Sequence, residues 1–133
     1  MTASANRRRG NQHEGRVLAW LREWGLEAYH LSPSQPGGDI IVFPNSDMKP
    51  QMLELKHVRG DKPYYFSNKP DQHRFMCNCG RGVYAITWQL PGRRDPFTRF
   101  FPVTPHYLLR SVRVVDGLSW EEYIVEMLAG VKP

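Results

Sequence analysis

Cysteine and long apolar runs are both scarce in this chain. Its 133 residues include 2 cysteines, Cys77 and Cys79, which lie too close together for an ordinary bridge and are too few for a disulfide framework. With His73 they offer three zinc ligands where a structural site normally has four, so we expect thiols without a metal. No run approaches the roughly 18 apolar residues of a membrane span, and the Arg-rich start lacks the apolar core of a signal peptide. We therefore expect a soluble intracellular protein with no membrane partner.

Basic residues outnumber acidic ones. The chain has 18 Lys and Arg against 13 Asp and Glu, a formal net charge of +5, which favours a polyanionic partner and nucleic acid first. Its length suits one domain that can bury a core without disulfide or metal support. We predict a flexible basic segment over residues 1–10 and a single domain over residues 11–133. In the first segment Arg7, Arg8 and Arg9 either bind an anion or belong to a solvated tail.

Apolar spacing predicts helices and strands in mixed order. The predicted elements are helices at Asn11–Trp24 and Pro70–Cys79, strands at Leu26–Leu31, Gly82–Leu90, Thr98–Val103 and Val112–Val115, a helical turn at Pro105–Arg110, and a last helix ending near Ala129. Gly25 is expected to end the first helix. Ser119 and Glu122 form a capping box that begins the last one.

The most informative stretch is a predicted β-hairpin. An apolar run follows Asp39, and after a turn a second run ends in Glu54-Leu55-Lys56. In a strand, Glu54 and Lys56 share one face and Leu55 points to the other. We expect Asp39 to lie opposite Leu55, diagonal to the other two, so that two carboxylates and an ammonium meet at one sheet edge. The plain alternative is a surface hairpin with a cross-strand ion pair.

Two carboxylates at this distance repel each other unless a cation compensates them. Mg²⁺ suits the site because it prefers oxygen ligands and is usually held by one or two carboxylates plus substrate phosphate. Lys56 would then neutralise a phosphate or help to activate a water. Glu14 adds a third carboxylate on the apolar stripe of the first helix, although a glutamate there is also favoured by the helix dipole.

Several polar residues flank the hairpin. Ser32 and Ser34 precede Asp39 in a turn-rich loop, where they could bind phosphate or orient a water, or simply form turns. Gln72 begins the apolar face of the second helix and either reaches the carboxylates or caps the core. A basic loop follows the hairpin and leads into aromatic residues, a combination that suits a DNA backbone or an unpaired base. Its basic residues are His57, Arg59 and Lys62.

The ordered combination of a helix glutamate, a serine loop, Gly-Gly-Asp and Glu-Leu-Lys resembles the PD-(D/E)xK nuclease superfamily, and within it the archaeal-type Holliday junction resolvases. The resemblance runs from Arg7 to about Val103. It implies an α/β fold, with a restriction-endonuclease-like mixed β-sheet flanked by helices. It also implies a homodimeric, Mg²⁺-dependent endodeoxyribonuclease, with Mn²⁺ able to substitute, which cuts four-way DNA junctions symmetrically. Such an enzyme would act in the cytoplasm or nucleoid of a prokaryotic or viral host.

The resemblance also implies roles for particular residues. Asp39, Glu54 and the Leu55 carbonyl become metal ligands, with Glu14 supporting the metal or its water, and Lys56 becomes the catalytic lysine. The remaining matches are the loop serine at Ser32 or Ser34, the glutamine at Gln72 and the basic segment at Arg7, Arg8 and Arg9. The chain departs from the family in having Gly-Gly where a proline often precedes the first aspartate, and in its longer segment after Phe101.

Two other interpretations stay open. One is a different nuclease of the same superfamily, acting as a restriction-like or repair endonuclease or exonuclease on linear or flapped DNA. The other is a non-catalytic basic DNA-binding module, which would have no use for a third carboxylate at Glu14. A two-fold dimer would draw on the aromatic residues Trp88, Phe97, Phe100 and Phe101, some of which must belong to the core.

Overall fold

A five-stranded mixed sheet forms the centre of the protein. The computed structural model describes residues 14–31, 39–44, 49–66, 69–79, 81–103 and 111–128. The strands, in their spatial order, are β1 (Glu27–His30), β2 (Ile40–Phe43), β3 (Gln51–Arg59), β5 (Gly82–Gln89) and β6 (Phe97–Val103). Two short strands, β4 (Tyr64–Tyr65) and β7 (Ser111–Val112), pair antiparallel in a separate small sheet. The α/β fold expected from the sequence is confirmed.

The sheet is parallel at one place only among the described strands. β1, β2 and β3 form an antiparallel meander, and β6 runs antiparallel to β5. β3 and β5 are parallel, a pairing that needs a crossover connection. The helix α2 (Pro70–Asn78) lies on that crossover. As a result, the strand that carries Glu54 is followed by the helix that carries Gln72.

The first helix, α1, covers residues 14–23 of the described chain and ends as the sequence predicts. Gly25 has φ +76°; its N–H donates to the Arg22 carbonyl at 2.9 Å, and the Leu26 N–H donates to the Leu21 carbonyl at 3.2 Å. This pair of bonds is the Schellman motif, which favours glycine at the left-handed position. Val17 on the predicted stripe is fully buried.

The last helix begins at the predicted capping box. The Ser119 hydroxyl accepts the Glu122 N–H at 3.2 Å, and the Glu122 carboxylate accepts the Ser119 N–H at 3.0 Å. The helix α3 (Trp120–Glu122) then widens into a π-helical stretch, Tyr123–Met127. Sequence periodicity alone did not predict this widening.

Helices cover both faces of the sheet and create two apolar cores. One core contains the buried side chains of α1 and of the C-terminal helix, packed on Leu53 of β3. The other contains Met76 of α2 and the buried Phe66, packed on the opposite face. Because both faces are covered, the interior strand β5 is buried from Gly82 to Trp88.

One strand prediction is wrong, and three predictions about helices lie outside the described residues. The predicted strand Val112–Val115 is a strand only at its start, because the Asp116 carboxylate accepts the Arg113 N–H at 2.9 Å and closes a 3₁₀ turn at Val114–Asp116. Predictions that lie outside the described residues are the helical turn at Pro105–Arg110, the helix start at Asn11 and the helix end at Ala129. Among the described residues, no helix is long and apolar enough to cross a membrane.

The aromatic residues considered for a dimer interface belong mostly to the core. Trp88 and Phe100 are fully buried and Phe101 is 4% exposed. Only Phe97 is partly exposed, and the guanidinium groups of Arg93 and Arg99 lie over its ring. Three of the four are therefore unavailable to a partner chain.

Candidate active site

The register of the β2–β3 hairpin sets the geometry of the site. Ile40 pairs with Leu53, and both are fully buried in the same core, so the apolar pattern fixes the pairing. Continued by one residue, this register puts Asp39 opposite Glu54. The prediction that Asp39 would lie opposite Leu55 is therefore wrong by one residue. Asp39 still reaches Leu55, because its Oδ2 accepts the Leu55 N–H at 2.8 Å.

Asp39 lies among several charged groups at the start of β2. Burial raises the pKa of its carboxyl above the ordinary value, and the hydrogen bond from the Leu55 N–H partly offsets that rise. The charge of Glu14 raises the same pKa, whereas the charges of Lys56 and His30 lower it. Residues from α1, β1 and β3 thus act on one carboxylate.

Glu54 is the most deeply buried charged group of the site, with 3% of its surface exposed. The Lys56 ammonium lies 3.3 Å from its Oε1, and the Gln72 amide Nε2 donates to the same oxygen. The structure therefore confirms that Glu54 and Lys56 share a face, and it brings Gln72 to the cluster from α2. A carboxylate this buried needs such partners, because an uncompensated buried charge is strongly destabilising.

Glu14 reaches the site through a residue that the sequence analysis missed. His30, the last residue of β1, has its Nδ1 2.6 Å from Glu14 Oε1. The Glu14 side chain is 22% exposed, so it is neither a solvated surface group nor a core residue. The signal was available, because strand alternation puts His30 on the same face as Ala28, and this face packs against α1.

The Gln72 side chain carries an unmet hydrogen-bonding group. Its Oε1 is buried and has no hydrogen-bond partner among the residues that the structure describes, while its Nε2 is held by Glu54. A buried acceptor left without a donor costs about 1–3 kcal/mol. Such an oxygen suits a hydrogen from a water molecule, which a hydrated cation would bring.

The donor atoms here fit a hard cation held by few protein ligands. In the described parts of the chain, no group of three or more His, Cys, Asp or Glu side chains is placed to hold a metal ion. Asp39 and Glu54, adjacent across the hairpin, provide carboxylate oxygens, and Leu55 between Glu54 and Lys56 provides a backbone carbonyl. Mg²⁺ is usually bound through one or two carboxylates and keeps several waters, so this small oxygen set is compatible with it.

Comparison with known proteins bears on the fold. No protein-family model and no curated protein matches this chain. Among solved structures, it is similar to Hjc from Archaeoglobus fulgidus, a Holliday junction resolvase from an archaeal hyperthermophile, with a TM-score of 0.57 and 18% sequence identity. The match covers 86% of this chain and 98% of the resolvase. The chain has a resolvase-like fold. The fold implied by the sequence resemblance is therefore confirmed.

The fold also brings the three predicted basic residues together beside the hairpin. An open cavity of about 520 Å³ is lined by His57, Val58, Arg59, Lys62, Pro63, Tyr64 and Tyr65. All three predicted basic residues are in its lining. The prediction that they form a loop is wrong for His57 and Arg59, which belong to β3 because its parallel pairing with β5 continues as far as Arg59 and Gln89. Arg7, Arg8, Arg9, Ser32 and Ser34 lie outside the described residues.

The cysteines do not assemble a zinc site in the described part of the chain. Cys77 Sγ lies 3.5 Å from His73 Nε2, but Cys79 Sγ donates instead to the Met76 carbonyl at 3.2 Å. Burial raises the pKa of the Cys77 thiol and lowers that of the His73 imidazole.

Proposed function

We propose that this protein is a metal-dependent endodeoxyribonuclease that resolves four-way DNA junctions. The observation that carries the proposal is the convergence of Asp39, Glu54 and Lys56 at one end of the hairpin in a resolvase-like fold. A surface ion pair would not need a glutamate that is only 3% exposed beside a second, partly buried carboxylate. Burying these charges costs stability, and a catalytic role accounts for that cost.

Mg²⁺, or Mn²⁺ in its place, would be held by Asp39, Glu54 and the Leu55 carbonyl. When bound, the cation lowers the pKa of a coordinated water and offsets the charge that develops on the phosphate. The Leu55 N–H orients the Asp39 carboxylate through Oδ2. Lys56 and Gln72 similarly fix the direction of the Glu54 carboxylate through Oε1.

The other polar groups act on the attacking water and the phosphate. The Lys56 ammonium, anchored by Glu54, can donate to a phosphate oxygen or hold the water. The buried Gln72 Oε1 can accept a hydrogen from that water. Glu14, held by His30, supports the metal or its water from the side of α1.

Cleavage assays test these assignments directly. Asp39→Asn and Glu54→Gln should each lower the cleavage rate at least about 10²- to 10³-fold, the scale for loss of one electrostatic stabiliser, while leaving DNA binding intact. Asp71→Asn is the matched control, because Asp71 on α2 is 92% exposed and pairs only loosely with Arg74. Labelled four-way junction, flap and linear duplex are compared in Mg²⁺ and in EDTA.

The outcomes of these assays separate the candidate functions. Preferred cutting of the junction supports resolution, whereas preferred cutting of flap or duplex supports another nuclease of the superfamily. Binding of DNA without metal-dependent cutting would leave a non-catalytic module. Wild-type rates in either Asp39→Asn or Glu54→Gln would refute the site assignment.

Resolution of a junction needs two matched cuts, so we propose a two-fold homodimer with one active site in each chain. Mixing wild-type and Asp39→Asn protein should give heterodimers that nick one strand without resolving the junction. Light scattering at micromolar concentration measures the assembly. Full resolution by a monomer would refute the dimer.

The amino-terminal arginines Arg7, Arg8 and Arg9 are proposed to bind DNA phosphates, and Ser32 or Ser34 the phosphate at the metal. Deleting residues 1–9 should flatten the dependence of log affinity on log salt by roughly 0.7–0.9 for each phosphate that the segment neutralises. An unchanged slope would show that the segment does not bind. With DNA as its substrate, the enzyme would act in the cytoplasm or nucleoid.

A further inference from the structure

A basic and aromatic groove lies directly beyond the candidate active site. Its lining is the set of seven residues that surrounds the 520 Å³ cavity, from His57 to Tyr65. Arg59 and Lys62 supply positive charge, and Tyr65 supplies an aromatic ring that is 49% exposed. The volume falls within the range of about 300–1,000 Å³ that is typical of sites for single small molecules.

The groove is held in shape by contacts to the central sheet. Gly60 has φ +73°, a conformation that favours glycine, and its N–H donates to the Gln89 carbonyl at 2.8 Å. The indole of the fully buried Trp88 donates to the Lys62 carbonyl at 2.7 Å. The turn that follows β3 is thus fixed at two points along β5.

The groove also adjoins the carboxylate of the site. Val58 lines the groove, and strand alternation puts it on the same face of β3 as Glu54 and Lys56. Burial, and next the charge of Glu54, raise the pKa of Tyr64 to about 12, which places the phenol within the field of that carboxylate. The Tyr64 ring packs edge-on against Phe66 with centroids 5.2 Å apart, so one wall of the groove is anchored in the core.

We propose that this groove binds one unpaired nucleotide of branched DNA, with its base stacked on Tyr65 and its phosphate facing Arg59 and Lys62. The proposal rests on the proposed function, since it places that nucleotide next to the phosphodiester that is cut. A paired duplex cannot offer a free base face to Tyr65. The groove would therefore select DNA that is open at the branch point.

Binding measurements in EDTA test the groove without relying on cleavage. The probes are a four-way junction with one unpaired 2-aminopurine at the branch point, a fully paired junction and a linear duplex. Tyr65→Ala should weaken binding of the unpaired probe roughly 5- to 100-fold, the range for loss of one base–aromatic stack. Binding of the duplex should stay unchanged, and Tyr65→Phe should retain wild-type affinity.

Fluorescence provides a second readout. Stacking on Tyr65 should quench 2-aminopurine in the wild-type and Tyr65→Phe complexes but not in the Tyr65→Ala complex. Val125→Ala is a control, because Val125 is an exposed apolar residue on the C-terminal helix, across the sheet from the groove. Thermal melting checks that each variant is folded.

An equal fall in affinity on all three probes would show that the groove binds only the backbone, and would overturn the proposal. An unchanged affinity of folded Tyr65→Ala for the unpaired probe would do the same. Failure of the nuclease itself looks different: wild-type protein would not cut any DNA in Mg²⁺, while the Tyr65-dependent binding would persist and still support the nucleotide site.

Discussion

Replacing Lys56 with methionine should destabilise the protein, because it removes the cation beside a buried carboxylate. Methionine keeps most of the aliphatic length of lysine, so the packing changes little while the charge is removed. The Glu54 side chain is 4% exposed and that of Lys56 is 17% exposed. Water can therefore replace the ammonium only poorly.

The expected destabilisation can be worked out from the distance. For two charges 3.3 Å apart, Coulomb's law with an effective dielectric constant of about 20 gives an attraction of about 5 kcal/mol. The variant no longer desolvates the ammonium, and Gln72 still donates to Glu54. Both effects reduce the net destabilisation, so we expect the free energy of unfolding to fall by about 3 kcal/mol.

Urea denaturation followed by circular dichroism measures the change. The double variant Lys56→Met/Glu54→Gln should recover most of the stability, because a neutral amide at position 54 needs no cation. Arg74→Met is the matched control, since the Arg74–Asp71 pair spans 3.6 Å on the exposed surface of α2. It should change the stability by less than about 0.5 kcal/mol.

A destabilisation by Lys56→Met no larger than that by Arg74→Met would refute the reasoning. It would show that Glu54 does not depend on Lys56 for its charge compensation. A double variant as unstable as the single one would refute it as well, because the two residues would then act independently.

Other contacts in the structure lead to three more predictions. The free energy of unfolding of Tyr64→Phe, measured by urea denaturation, should rise relative to that of the wild type between pH 10 and pH 12. The wild-type phenol has its pKa raised to about 12 in the folded protein, so its contribution to stability is lost over that range. Gly82→Ala should lower the free energy of unfolding by about 1–3 kcal/mol, since a Cβ there would lie 2.5 Å from the Met76 carbonyl oxygen; a wild-type urea midpoint would contradict this. His30→Gln should lower the single-turnover cleavage rate about 10- to 100-fold and add nothing to the defect of Glu14→Gln.

The local parts of this structure could be predicted from the sequence. The apolar stripe and Gly25 determine α1 and its end, and the Ser119 capping box determines where α3 begins. Strand alternation was enough to put Glu54 and Lys56 on one face. Each of these features depends on residues close together in the chain, so a short stretch of sequence is enough to predict it.

Features that depend on packing between separate helices and strands were harder to predict. The one-residue error at Asp39 arose because the register is set by burial of Ile40 and Leu53 in a shared core. The contact of His30 with Glu14 joins β1 to α1; strand alternation gives the face on which His30 lies, but not the residue of α1 that it meets.

Aromatic residues posed a related problem. Trp88 and Phe100 are residue types that are common in protein interfaces. In this structure they lie instead in the two cores, one on each face of the sheet. Whether such a residue faces a core or a partner depends on which layers cover the sheet. The interface of the proposed dimer therefore has to be sought elsewhere on the surface.

The C-terminal segment, which is longer than the family resemblance would suggest, is tied to the strand that carries Glu54. Gln51, the first residue of β3 and 1% exposed, accepts the Tyr123 hydroxyl at 2.9 Å and donates to the Met127 carbonyl at 2.7 Å. Tyr123 in turn stacks on Phe100 with ring centroids 4.2 Å apart. Loss of the C-terminal helix would leave the buried Gln51 amide without these two partners. The helix and β3 should therefore open together as one cooperative unit, with matching protection of their amide hydrogens.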